Sequence, residues 1–492
     1  MDGIWVNPGD FVIVRWVFLR LLGVIYLIAF ASFTLQVGGL IGNKGILPAS
    51  EYLDAIHRSL GAKGYYLFPT LAWINTGDAF LKGLCIAGIL VSLLLVFGLQ
   101  TTPVLFLLWV SYLSLVTVGQ DFLSFQWDVL LVEVGFLSIF LVPPSLLPKQ
   151  ALAPPSAFVI LLFRFLLFKL IFMSGMVKLA SGDLNWRNLT ALAYHYETQP
   201  LPTPLAWYMQ QLPLWFQKLS TLFTLATELA VPFLYFSPRL FRFVGAGFTI
   251  LLQVLILLTG NYAFFNWLTI FLALFLLDDT LLSQFLPVQR LGSLVPAVSG
   301  EYGIAWGRHV PAGLALILIV TGLSHIALRV SGGPGVLKPV MPLLELTGAL
   351  KISNGYGLFA VMTTERPQII VEGSDDGENW LAYEFKYQPV QVKRAPPVVA
   401  PHQPRLDWQM WFAALSSFQR NQWFLHFGVR LLEGSPQVTD LLARNPFPDR
   451  PPKYLRAVLY DYRFTTAIER AKTGAWWHRE ELGIYMPPIS LR

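Results

Sequence analysis

The chain has 492 residues, of which 55% are hydrophobic and only 13% are charged, and its formal net charge is +6. Because ordinary soluble domains carry about 25% charged residues, this composition excludes a typical soluble protein, a disordered chain and a collagen-like chain. The modest charge argues against nucleic acid as a partner, and the single cysteine, Cys85, excludes an intramolecular disulfide and self-contained thiol–disulfide catalysis.

The first 330 residues contain long apolar runs that are typical of membrane-spanning helices. Nine spans are predicted, at residues 11–37, 80–99, 103–118, 127–142, 157–177, 214–236, 241–258, 262–277 and 311–329. Of the Asp, Glu, Lys and Arg residues, 31 precede residue 331 and 33 follow residue 330. The sequence therefore predicts a polytopic α-helical membrane domain over residues 1–330 and a soluble C-terminal domain over residues 331–492.

Lys and Arg in short loops predict the orientation, because they accumulate on the cytoplasmic side. With the N-terminus inside, five loop cations fall on that side: Lys149, Arg239, Arg242, Arg290 and Arg308. Two larger loops, at residues 38–78 and 178–213, then lie outside together with the C-terminal domain. The working face is therefore expected to be non-cytoplasmic.

Several predicted spans contain ionisable side chains, which usually face the bundle interior and pair. The candidate intramembrane cluster comprises Asp128, Glu133, Arg164, Lys169 and Lys178. Glu133 is expected to pair with Arg164 or Lys169. The favoured interpretation is a structural ion pair that fixes helix register, and the alternative is a polar cavity for a lipid head group or a proton path.

The C-terminal domain consists of short alternating stretches separated by turn residues, a pattern typical of strands. Four strands are predicted, at residues 356–364, 368–373, 379–387 and 453–465, with a hairpin turn at 375–377. Two helices are predicted, at residues 406–420 and 421–432. Trp380 is expected to pack into the domain, and the expected fold is α+β or sandwich-like.

The densest polar stretch of the membrane domain is the outer loop at residues 181–200. Asn185 is placed to cap a helix that begins at Trp186, which leaves His195 and Glu197 near its end. A His–Glu pair exchanges protons near neutral pH, but the favoured interpretation is that the two groups hydrogen-bond each other and fix a lid. The candidate residues of this functional loop are Asp183, Trp186, Arg187, His195, Tyr196, Glu197 and Gln199.

Patterns for catalysis and metal binding are absent from the sequence. The chain has no P-loop, no glycine-rich dinucleotide fingerprint, no HExxH, no GxSxG elbow and no CxxC. Its seven histidines lie apart, without the spacing that brings two imidazoles onto one helix face. We therefore expect neither a metal nor a cofactor.

The outer loop and the preceding residues 174–179 closely resemble the lipase maturation factor family. Residues 125–133 are similar to the family's fourth-span motif, and residues 354–363, 366–367 and 406–415 are similar to its C-terminal domain. On this resemblance the candidate C-terminal motif comprises Asn354, Gly355, Tyr356, Arg366, Trp380, Trp408 and Trp411. A remoter likeness to the membrane domain of vitamin K-dependent carboxylases transfers no catalytic residue.

The resemblance implies a chaperone of the endoplasmic reticulum membrane that helps newly made secreted lipases fold and assemble as active dimers. It places client engagement in the lumenal C-terminal region. A bacterial member would instead face the periplasm from the inner membrane, and its client need not be a lipase. The expected partners are thus the lipid bilayer and a secreted client protein.

Two hypotheses of different classes remain open. The leading one is a maturation factor that binds a partly folded client, with an apolar patch formed, if these residues are exposed, by Trp408, Trp411, Phe412 and Trp423, although their spacing is more typical of a core. The alternative is a membrane enzyme or lipid-handling protein. It predicts one pocket that contains five groups, namely His195, Glu197, Glu133, Arg164 and Lys169.

Overall fold

The computed structural model describes residues 6–146, 154–285, 306–307, 309–331 and 335–491. Three of the cations that predict the orientation, Lys149, Arg290 and Arg308, lie outside these ranges. Within the described ranges, a bundle of apolar helices carries the C-terminal domain at one end, where it contacts the loops between the helices.

The described helices up to residue 349 are α1 (Val12–Thr34), α2 (Val37–Ile41), α3 (Ala49–Leu60), α4 (Lys63–Leu67), α5 (Asp78–Val96), α6 (Thr102–Val118), α7 (Gln126–Ile139), α8 (Ala157–Ala180), α9 (Leu184–Arg187), α10 (Leu192–Thr198), α11 (Pro204–Gln210), α12 (Leu214–Leu229), α13 (Arg239–Thr259), α14 (Phe265–Leu272), α15 (Asp279–Phe285), α16 (His309–Ser331) and α17 (Met341–Ala349). In the bundle, α1 packs against α5, and α8 packs against α12 and α16. Short 3₁₀ turns join several of these helices.

Six helical stretches of the described chain are long and apolar enough to cross a membrane: Pro8–Thr34, Asp78–Val96, Ala157–Ala180, Leu214–Phe236, Arg239–Thr259 and His309–Arg329. A seventh is present if Phe265–Leu276 and Asp279–Phe285, which are bent by 119°, count as one span. The nine predicted spans are therefore not confirmed.

Two of the predicted spans correspond to shorter helices. Residues 103–118 lie in the 17-residue α6, and residues 127–142 contain the 14-residue α7. Every residue of α7 is buried or half-buried by protein, so it is a central helix of the bundle. Its apolar sequence arises from contact with other helices, which hydropathy alone does not distinguish from contact with lipid.

The C-terminal domain combines helices with two small sheets. Its helices are α18 (Arg405–Ala414), α19 (Gln422–Leu432), α20 (Pro436–Thr439) and α21 (Ala467–Thr473), and its strands are β1 (Pro367–Ser374), β2 (Leu381–Ala382), β3 (Glu384–Phe385), β4 (Leu442–Arg444), β5 (Tyr454–Phe464) and β6 (Trp477–Ile489). The larger sheet is antiparallel in the order β2-β1-β5-β6, and β3 pairs with β4. The prediction of a sheet-containing C-terminal region is confirmed.

One predicted strand is wrong. Residues 356–364 form no strand because their backbone groups bind side chains of the bundle. The Gly357 N–H donates to Gln126 Oε1 at 3.0 Å, and the Met362 N–H donates to Asp183 Oδ2 at 2.5 Å. This segment therefore joins the C-terminal domain to the bundle.

Candidate functional site

Asp128, in the first turn of α7, lies at a buried junction with the C-terminal domain. Arg405, the first residue of α18, donates two hydrogen bonds to the Asp128 carboxylate, both at 2.8 Å, and a third to the Phe122 carbonyl at 2.6 Å. The Tyr112 hydroxyl donates to Asp128 Oδ1 at 2.5 Å. The Arg405 and Asp128 side chains are 1% and 0% exposed, so each charge has exchanged water for a bidentate partner.

Glu133, five residues further along α7, forms a second junction. Lys169 Nζ lies 2.6 Å from Glu133 Oε1. The other carboxylate oxygen, Oε2, accepts the Tyr356 hydroxyl at 2.6 Å and the Asn354 backbone and side-chain N–H groups at 3.2 and 3.0 Å. A bundle ion pair and the start of the C-terminal region therefore share one carboxylate.

Arg164, the other candidate partner of Glu133, lies elsewhere in the bundle. Its Nε donates to the Phe275 carbonyl at 2.9 Å.

Gly355 of the candidate C-terminal motif follows Asn354, and a Cβ at this position would be 3.6 Å from the Met173 side chain, which is an ordinary contact. Space alone does not require glycine at this position.

Lys178, near the end of α8, pairs with Glu228 of α12. Its Nζ lies 2.6 Å from both carboxylate oxygens. The two helices approach closely because residue 175 is glycine, where a Cβ would lie only 2.8 Å from Glu228 Cβ. The pair lines a cavity of about 560 Å³.

The first half of the outer loop is attached to the C-terminal region. Asp183, and not Asn185, caps α9: its Oδ1 accepts the Asn185 N–H at 2.6 Å. Trp186 is buried and donates its indole N–H to the Phe359 carbonyl at 3.0 Å, whereas Arg187 is exposed. The predicted Asn185 cap is wrong, because the helix begins at Leu184 and not at Trp186, so that Asp183 occupies the N-cap position.

His195 and Glu197, the predicted pair, have different partners. His195 Nε2 lies 3.1 Å from the Tyr262 hydroxyl, which donates to Gln199 Oε1 at 2.9 Å. Glu197 Oε2 accepts the Phe464 N–H of β5 at 2.9 Å. The two side chains therefore do not fix each other, but each of them fixes the loop to a neighbouring element.

Arg366 and Tyr196 complete this contact. Arg366 precedes β1, is buried, and donates to the carbonyls of Glu197 and Pro200, both at 2.9 Å, and to that of Gln199. Tyr196 is buried in a small cluster of aromatic side chains formed with Trp207, Tyr462, Phe464 and Trp477. The outer loop is thus a structural part of the C-terminal interface.

The candidate aromatic patch is mostly core. Trp408, Trp411 and Trp423 are buried, and only Phe412 is substantially exposed. The Trp411 indole N–H donates to the Thr198 carbonyl at 2.8 Å, which ties α18 to the outer loop. A client patch made of the three tryptophans is therefore excluded.

Trp380 is half-buried. The Arg456 guanidinium lies over its indole ring, 4.2 Å from the ring centroid.

The five groups of the alternative hypothesis do not share a pocket. His195 lines the cavity beside Lys178 and Glu228, whereas Glu133, Arg164, Lys169 and Glu197 do not line it. The described ranges also contain no group of three His, Cys, Asp or Glu residues that could hold a metal ion.

Sequence reasoning did not identify Arg405, Tyr262 or Asn261. Asn261 Nδ2 donates to the Leu201 and Pro397 carbonyls at 3.0 and 2.9 Å. A buried aspartate in a span signals that a cation must be near, but the cation that Asp128 binds is 277 residues away in the sequence. Spacing gives no information about such a partner.

Acidification is expected to destabilise the protein through His195. Burial, with Lys178 nearby, lowers the pKa of His195 from 6.5 to about 3. The stability from the neutral imidazole is complete above pH 6.5 and is lost as the pH falls from 6.5 towards 3. The unmodified protein should lose unfolding free energy when the pH is lowered from 7.5 to 5.0. In the His195→Gln variant this loss should be smaller by about 1–2 kcal/mol.

Melting temperatures in detergent at the two pH values measure this effect. The exposed His57 of α3 supplies the control, His57→Gln. If both variants lose as much stability on acidification as the unmodified protein, His195 does not contribute to acid sensitivity.

Comparison with known proteins gave two family matches and several curated relatives. The family described as "Lipase maturation factor transmembrane domain" matches residues 13–284, and the one described as "Lipase maturation factor C-terminal domain" matches residues 352–487. No solved structure matches the chain.

The similar curated proteins include lipase maturation factor 1 of Bos taurus, which is 36% identical over 98% of this chain and 90% of its own length. Lipase maturation factor 2 of Mus musculus is 38% identical over 96% of this chain and 82% of its own length. Lipase maturation factor 2 of Gallus gallus is 36% identical over 97% of this chain and 81% of its own length.

Proposed function

Because this chain belongs to the lipase maturation factor family, we propose that it is a membrane-embedded maturation factor for secreted lipases. The observation that carries this proposal is the match of both parts of the chain to proteins named for that role. The long apolar helices are consistent with a permanent place in the bilayer.

The hydrogen bonds of the buried charged groups support a client-binding role over a catalytic one. Asp128 and Glu133 each bind several donors from both parts of the chain, so neither carboxylate is left to serve a substrate. His195 and Glu197 hold the outer loop against its neighbours. We infer that these residues make a rigid platform of the bundle and the C-terminal domain.

We infer that the client binds the free edge of β6. This 13-residue strand pairs with β5 on one side and with no second strand among the described residues. On the other side, the N–H of its first residue, Trp477, donates to the Val392 carbonyl at 3.1 Å. The side chains of residues 478–482 are all exposed, and Leu482 and Ile484 are 56% and 54% exposed. An edge with unpaired N–H and C=O groups accepts an extended segment of another chain, and partly folded proteins expose such segments.

The proposed location depends on the cell. In a eukaryotic cell we place the protein in the endoplasmic reticulum membrane, and in a bacterium in the inner membrane. In both cases the outer loops at residues 38–78 and 178–213 and the C-terminal domain face away from the cytoplasm, where a secreted client folds.

The double substitution Leu482→Asp and Ile484→Asp is expected to weaken client binding. Loss of two apolar contacts and the added charge should raise the Kd for a partly folded lipase by about tenfold or more, which corresponds to about 1.4 kcal/mol. The measurement is co-purification of a newly made secreted lipase with the full-length protein from membranes.

Ile468→Asp is the matched control, because Ile468 is an exposed apolar residue of α21 in the same domain. Equal recovery of lipase with the β6 variant and with the control would exclude the β6 edge as the client site. No recovery of lipase with the unmodified protein would exclude the proposed function itself.

A further inference from the structure

A cavity that none of the preceding roles uses lies between α8, α12, α13 and the outer loop. Its volume is about 560 Å³, within the range of about 300–1,000 Å³ that is typical of small-molecule sites. A water molecule in the liquid occupies about 30 Å³. At the same volume per non-hydrogen atom, this space holds roughly 20 atoms. This is about the size of one acyl chain with a small head group.

Exposed leucines of two long apolar helices line one side of the cavity. Its lining includes Leu219 of α12 and Leu251, Leu255 and Leu258 of α13, and all four side chains are also exposed. Both helices belong to stretches long and apolar enough to span the membrane. A ligand that reaches the cavity past these leucines comes from the lipid phase.

The polar groups of the cavity have unused hydrogen-bonding capacity. Asn266 of α14 is 1% exposed, and its Nδ2 donates to Gln253 Oε1 at 2.7 Å, while its Oδ1 has no partner among the described residues. Lys178 Nζ uses two of its three donors on Glu228. Because unsatisfied buried polar atoms are rare and costly, an acceptor and a donor that line one cavity indicate a hydroxyl-bearing ligand.

The charge of the cavity selects a neutral head group. Glu228 neutralises Lys178 at 2.6 Å. The lowered pKa of His195, about 3, leaves its imidazole uncharged near neutral pH. A carboxylate or phosphate would therefore enter without a free counter-charge, which is unfavourable in an apolar site.

We propose that this cavity binds a neutral single-chain lipid with a hydroxyl-bearing head group, of the monoacylglycerol class, which enters from the bilayer past the leucines of α12 and α13. The hydroxyl groups donate to Asn266 Oδ1 and accept from Lys178 Nζ. The proposal does not rest on the role in lipase maturation, because it concerns the occupancy of the bundle alone.

The test is photo-labelling of the full-length protein in phosphatidylcholine vesicles with a monoacylglycerol that carries a diazirine in its acyl chain. We expect saturable labelling of α12 and α13 peptides. Unlabelled monoacylglycerol should compete about tenfold better than a fatty acid of the same length, a difference of about 1.4 kcal/mol. Equal competition by the fatty acid, or labelling that does not saturate, would overturn the proposal.

Two variants locate the site. Thr224→Trp fills the cavity from α12 and should abolish labelling, whereas Leu90→Trp, on the exposed face of α5, should leave it unchanged. Asn266→Leu keeps the branched shape of the side chain but removes the free acceptor, and should raise the half-labelling concentration by about tenfold. The melting temperature of each variant shows whether it is folded. Labelling as strong as that of the unmodified protein, in a folded sample of either cavity variant, would contradict the assignment.

Discussion

Asp128→Asn is expected to reduce the free energy of unfolding by about 3–5 kcal/mol, because it leaves the Arg405 guanidinium buried without its counter-charge. Since this pair joins α7 to α18, the substitution should also loosen the C-terminal domain from the bundle. Thermal unfolding in detergent measures the first effect, and the rate of protease cleavage between the two parts measures the second.

The control for this substitution is Arg444→Gln, because Arg444 pairs with Glu384 on the surface. An exposed pair contributes about 0–1 kcal/mol, so this variant should unfold like the unmodified protein. The double variant Asp128→Leu with Arg405→Met removes both charges and should regain much of the stability. If Asp128→Asn unfolds like the control, the junction does not carry the stability that we assign to it.

Glu133→Gln is expected to have a similarly large effect, about 3–5 kcal/mol, because it leaves the Lys169 ammonium unpaired inside the bundle. The amide still accepts hydrogen bonds from Tyr356 and Asn354, so the loss reports mainly on charge. The measurements are the melting temperature and the yield of monodisperse protein in detergent.

Glu433→Gln, at the surface pair between Arg430 and Glu433, is the matched control for Glu133→Gln. The double variant Glu133→Gln with Lys169→Met should recover stability, because no charge is then left unpaired. Equal instability of the single and double variants would mean that the packing around Glu133, and not its charge, is what the fold requires.

The division into a membrane part and a C-terminal part was predictable, because charged residues are rare before residue 331 and frequent after it. Such a change is expected where a chain passes from lipid to water. The pairing of an intramembrane carboxylate with a lysine was predictable for a similar reason, since an isolated charge is unfavourable in hydrocarbon. The choice of Lys169 over Arg164 required the structure, because both lie on α8 and spacing alone allows either.

Other features depend on contacts that are distant in the sequence. The tryptophans of α18 have the same spacing whether that face is solvated or packed, and the packing is supplied by Trp127 and the outer loop. Strand β6 was missed because its exposed residues 478–482 lack the alternation that a half-buried strand shows. The free edge that we propose for the client was therefore not visible in the apolar pattern.

The bundle and the C-terminal domain form one platform, since the junction residues Asp128, Glu133 and Gln199 are all buried. A client held at the edge of β6 then stays at a fixed distance from the membrane surface. Breaking a junction should therefore reduce lipase maturation even where the β6 edge itself is intact.

The most direct test is the specific activity of a secreted lipase, as activity per mass of secreted protein, in cells that lack their own lipase maturation factors. We predict that expression of this chain raises the specific activity, that Ile468→Asp does so equally, and that Leu482→Asp with Ile484→Asp does not, at equal amounts in the membrane. An unchanged specific activity with the correctly inserted, unmodified protein would contradict its role as a lipase maturation factor.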